Sequence, residues 1–131
     1  MLFPALTALL AIQAAEPAKP DCRDETQQGI NRCAAWRWRQ ADREMQARFE
    51  EVLDELETAD REVRAEGYLG LSRPLILQEA QKSWLLFREQ QCTLEGLEVA
   101  GGSMQPMVEA GCFARMARLR TKELRLGLFG E

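Results

Sequence analysis

The chain has 131 residues, 46% of them hydrophobic and 29% charged, with a formal net charge of −4. That is one domain's worth of ordinary globular composition, and an acidic total without a sustained basic stripe argues against nucleic acid as a partner. No histidine occurs anywhere in the chain, so the commonest general base is missing and no metal site or cofactor is expected.

Residues 2–15 carry no charge, are rich in Leu and Ala, and end in Ile12-Gln13-Ala14-Ala15 before the polar Glu16-Pro17-Ala18-Lys19-Pro20. This reads as a secretory signal peptide over residues 1–15, although the usual basic n-region is absent. With Pro4 inside it, the stretch falls short of the roughly 20 residues that span a bilayer, so no stable membrane insertion is expected after cleavage. An extended segment over residues 16–25 and a helical domain over residues 26–131 complete the expected organisation, in a periplasmic or secreted protein.

Thr26 is a plausible N-cap for a first helix. Apolar positions then recur at Ile30, Ala34, Trp38, Ala41, Met45, Phe49, Val52, Leu56, Ala59 and Val63, spaced as on one long amphipathic helix that stops around Glu66-Gly67. Ser72 caps a second helix with Pro74 in its first turn, passing through Leu77, Ala80, Trp84 and Phe87 to Cys92 and toward Val99. Gly101-Gly102 break it. A third helix after Ser103, with Pro106 in its first turn, carries Met107, Val108, Cys112, Met116, Leu119 and Leu124 before Gly127 and Gly130. No alternating strand pattern is present, so the predicted fold is all-α, a three-helix up-down-up bundle.

Four cysteines in an exported chain of this size are most simply two disulfides, formally in any of three pairings. The spacing favours Cys22 with Cys33 and Cys92 with Cys112. Four extended residues can bring Cys22 back along the first two helical turns to Cys33. Cys92 and Cys112 lie ten residues either side of Gly102 and so stand at one height in an antiparallel hairpin. Zinc is the weaker reading, because no close Cys-x-x-Cys pair accompanies the missing histidines.

Charge on the first helix is segregated, with Arg32, Arg37, Arg39, Arg43 and Arg48 followed by Glu50, Glu51, Asp54, Glu55, Glu57, Asp60 and Glu62. That order opposes the helix dipole. One reading is an internal match, with Arg115, Arg118, Arg120, Lys122 and Arg125 of the parallel third helix level with the acidic half, and with local pairs Glu44 to Arg48, Glu57 to Arg61 and Asp60 to Arg64. The other is an acidic face, around Glu50, Glu51, Asp54 and Glu55, that steers a basic partner. Trp36 points away from the stripe of Ala34 and Trp38, either as an exposed anchor or as a cover for the Cys22 to Cys33 staple.

Oxidised cysteines and absent histidines leave no nucleophile and base, and carboxylate pairs such as Glu51 and Glu55 occur on any acidic helix. A binding protein is therefore expected, with no catalytic residue and no enzyme activity. Gln81, Trp84, Arg88 and Cys92, at steps of three, four and four, share one stripe of the second helix. Arg88 could form a cation-π pair with Trp84 or an ion pair with Asp42.

With Thr26-Gln27, Cys33-Ala34, Ala41-Asp42, Gly101-Gly102-Ser103-Met104, Cys112 and Arg120 with Leu124, this stripe resembles the LprI-type lysozyme inhibitor domains of bacterial envelopes. The resemblance spans nearly all of the chain after the leader. It implies an exported, helical, disulfide-bonded domain in which Asp42, Gln81, Trp84, Arg88, Gly101, Gly102, Ser103 and Arg120 are structural. For partners it implies lysozyme, bound directly. The alternative is a non-inhibitory periplasmic interaction or accessory module.

Overall fold

The computed structural model describes residues 17–126. The leader expected over residues 1–15 and the tail with Gly127 and Gly130 lie outside the described residues. Among the described residues three helices make up the fold, α1 (Gln27–Ala65), α2 (Arg73–Leu97) and α3 (Gln105–Leu126). No strand occurs among the described residues. They form the expected bundle, with α2 ending two residues short of Val99 in a turn.

Each boundary has a local cause. The Thr26 hydroxyl accepts from the Gly29 amide at 3.1 Å and donates to Asp24 at 2.6 Å, so the cap is itself anchored. At the other end of α1, Gly67 takes a positive φ of 99°. Its amide donates to the Arg64 carbonyl and that of Tyr68 to Val63, the paired bonds of a Schellman stop. Ser72 caps α2 through the Leu75 amide, and Pro74 sits in the first turn, where its missing N–H costs nothing. Gly101, at φ 78°, turns the chain into α3.

The main core joins Ala41, Met45, Val52 and Leu56 of α1 to Ala114, Ala117 and Leu124 of α3. Alanines on the facing sides let the two axes approach, and α2 lays Leu77 and Trp84 against the cluster. A second cluster gathers Cys92, Cys112 and Phe113, flanked by Trp38 and Met116. Both disulfides have the favoured pairing, Cys22 with Cys33 and Cys92 with Cys112, at Cα separations of 5.3 and 5.4 Å. Loop-closure entropy makes each worth about 3 kcal/mol.

Four of the expected apolar positions are exposed, Ile30 on α1, Ala80 and Phe87 on α2, and Leu119 on α3. Phe87 is 56% and Leu119 is 53% exposed. On α2 the inward stripe is the one holding Gln81, Arg88 and Cys92, and on α3 it is the small-residue face of Ala110, Ala114 and Ala117. Both helices carry apolar residues on two sides, so hydrophobicity alone misplaces the buried one.

The register of α3 limits the expected charge match to the start of the acidic half. The Asn31 amide donates to the Ser103 carbonyl at 2.9 Å, which sets the start of α3 beside the base of α1. From there the 22 residues of α3 cover about 33 Å, against about 58 Å for the 39 residues of α1. By that register Arg115 to Lys122 stand level with residues 43–50 of α1 and Arg125 with residue 53, so they reach only the start of its acidic half. Arg115 pairs with Glu95 of α2 at 2.6 Å, and Arg120 with Glu123 at 3.1 Å. Arg118 and Lys122 line a groove with Glu44. Of the expected local pairs, Asp60 with Arg64 forms at 2.6 Å, whereas Arg48 turns to Glu51 and Arg61 to the Thr58 hydroxyl.

Candidate functional site

The stripe on α2 is the seam between all three helices. Gln81 is buried, its amide donating to the Met45 sulfur at 3.1 Å while its carbonyl oxygen accepts from Arg120 Nε at 3.0 Å. One side chain thus ties α1 to α3 through α2. Arg88, only 7% exposed, forms an ion pair with Asp42 of α1. Its guanidinium also lies over Trp84 at 5.1 Å and over Phe113 of α3 at 5.4 Å. Arg120 approaches Trp84 at 5.7 Å, and Trp38 stacks on Phe113 with centroids 4.7 Å apart.

The two uses foreseen for Arg88 occur together. A flat guanidinium can be paired at its edge by a carboxylate and covered on its faces by aromatic rings, satisfying a charge that burial would otherwise penalise. Phe113 completes this arrangement and went unrecognised in the sequence, where its position next to Cys112 gives no sign that it meets α1 and α2. Gly101, Gly102 and Ser103 stand apart from the seam, at the α2–α3 turn, where Ser103 acts through its carbonyl on Asn31.

The residues expected to meet a partner fall in two separate places. Glu50, Glu51, Asp54 and Glu55 are exposed on the distal half of α1. Glu51 is paired with Arg48 at 2.9 Å and Glu50 accepts from the Gln46 amide at 2.9 Å, bonds local to the helix. Among the described residues no ion pair holds Asp54 or Glu55. Trp36 lies about 21 Å back along the helix axis from Glu50. It is half-buried, with Lys19 Nζ 5.3 Å from the ring centre, and lines a shallow groove with Arg37, Gln40, Glu44 and Arg118. Lys19, in the extended segment before the first cysteine, thus lies against one face of this ring.

The electrostatics are those of ionised, paired carboxylates. Glu95 is held below its ordinary value by the Gln91 amide and then Arg115, and Asp60 by its hydrogen bond from Arg64 against the opposing cost of burial. Asp24 is lowered in the same way by the Thr26 hydroxyl and amide. A general acid would need the opposite displacement. Among the described residues, no cysteine thiol is free and no group of acids and cysteines could hold a metal ion.

The described residues thus form a disulfide-stapled helical scaffold with a buried polar seam and an exposed acidic flank on α1. The family described as Lysozyme inhibitor LprI matches residues 19–124. The chain belongs to that family. It is also 38% identical over 128 residues, covering 93% of this chain and 91% of the relative, to a Rhizobium meliloti (strain 1021) protein described as uncharacterized. No solved structure matches the chain.

Proposed function

We propose that this protein is exported and inhibits lysozyme by binding it directly, presenting the acidic flank of α1 to the cationic enzyme. The leader over residues 1–15 would be removed, leaving the extended segment over residues 16–25 and the bundle beyond it in the periplasm or outside the cell. Membership of the LprI family and two disulfides support this placing, and no helix among the described residues is long and apolar enough to cross a membrane.

The observation that carries the reading is the exposed run Glu50, Glu51, Asp54 and Glu55, of which only Glu51 is held in an ion pair among the described residues. Charge of one sign on a rigid helix raises the encounter rate with an oppositely charged protein, and salt weakens that effect. The binding role needs no catalytic group of its own.

Turbidity clearing of cell walls by lysozyme, with the purified protein in excess, tests the proposal. Clearing should slow at low salt and recover partly at moderate salt. Reversal of three charges, Glu51→Lys, Asp54→Lys and Glu55→Lys, should weaken inhibition at least about tenfold while far-UV helicity is kept. Unchanged clearing at both salts would leave the family's accessory-module alternative as the better description.

A further inference from the structure

Beside the bridge between Cys22 and Cys33, α1 and α3 leave a groove of about 340 Å³ between them. That is the lower end of the size small ligands occupy. Ile30 and Arg37 stand two turns apart on one line of α1, and Met107, Gly111, Ala114 and Arg118 recur at steps of four, three and four on one line of α3, so the two lines face each other across the groove. Its floor is therefore apolar, and among the described residues no carboxylate lines it. Gly111 keeps it open. A Cβ placed there would meet no packed neighbour within 4 Å, so the empty space begins at the backbone of α3.

The charge at this groove is of one sign. Arg37 and Arg118 also line the shallow groove that carries Trp36, Gln40 and Glu44, so the two arginines stand where the hollows meet. Nearby, Arg32 is paired with Asp24 at 2.8 Å and Arg115 with Glu95 at 2.6 Å. Among the described residues no ion pair holds Arg37 or Arg118, and Lys19 adds a further cation beside Trp36. Like charges turned to one hollow repel each other, and an anion placed between them removes that cost. A guanidinium is also the side chain best shaped to hold a carboxylate, through two parallel N–H donors.

The geometry points to a binding site for a monocarboxylate that carries an apolar chain. The chain lies along Ile30, Met107 and Gly111, and the carboxylate meets Arg37 and Arg118 at the end where the two grooves join. Neither the apolar floor nor the arginine pair alone selects this class of ligand; together they require both halves of it. The groove shares no residue with the acidic flank of α1, so it stands apart from the lysozyme reading.

Titration calorimetry of the disulfide-intact protein with octanoate tests the site, beside octanol, which lacks the charge, and acetate, which lacks the chain. Octanoate should bind saturably at one site with a Kd below about 1 mM, and octanol and acetate each at least about tenfold more weakly. Arg37→Gln and Arg118→Gln should each weaken octanoate by about tenfold. Gly111→Leu fills the groove from α3 and should abolish binding, while an undiminished denaturation midpoint establishes that the bundle still folds. Absence of saturable octanoate binding, octanol bound as well as octanoate, or octanoate indifferent to Gly111→Leu or to both arginine changes would overturn the inference.

Discussion

Asp42→Ala removes the carboxylate that faces a nearly buried guanidinium, and we expect it to cost about 2 kcal/mol in chemical denaturation. Arg88→Met should cost less, because a flexible apolar chain can fill the space between Trp84 and Phe113 without leaving a charge behind. A smaller loss for Asp42→Ala than for Arg88→Met would show that ring contacts rather than the ion pair hold the seam. The lowered proton affinities of the Glu95 and Asp60 carboxyls set a pH dependence. Folded, these carboxyls hold protons less tightly than unfolded. Their stabilisation is therefore complete above the ordinary carboxylate range and fades as pH falls through the lowered folded values, below about pH 4. Thermal melts from pH 6 down to 2 should show this decline, and Glu95→Gln should flatten part of it. Arg88, Trp84 and Asp42 were legible in the sequence because helical spacing and complementary chemistry name them. Phe113 and the Asn31 to Ser103 bond were not, since both join residues far apart in the chain through a register that only packing fixes.

Helix ends were the most legible elements, because Thr26, Gly67, Ser72 and Gly101 each have a local reason to stop or start a helix. Gly101→Ala places a Cβ on a backbone with φ of 78° and should cost about 1 kcal/mol without changing helical content. Replacing Cys92 and Cys112 by serine opens a loop with a sequence separation of 20 and should cost about 3 kcal/mol, measurable as a lower denaturation midpoint. The inward faces of α2 and α3 were less legible. Cys92 marks the correct side of α2, but Phe87 competes for it on hydrophobicity. On α3 the alanines that allow close packing give a weaker signal than Leu119, which is exposed.

Across the whole molecule, class, helix order and disulfide pairing followed from periodicity, capping residues and cysteine spacing. The relative lengths of α1 and α3 also stood in the sequence, but their consequence for the charges required the common starting level set by Asn31 and Ser103. Both bridges lie toward the end of the bundle where α3 begins. At the opposite end α1 and α2 continue with neither a covalent link nor the full length of a third helix beside them. Amide protection should therefore be graded along the long axis. Backbone N–H groups of residues 57–65 and 73–78 should exchange with deuterium through local opening of the hairpin, well before those of residues 38–48, which exchange only when the bundle as a whole comes apart.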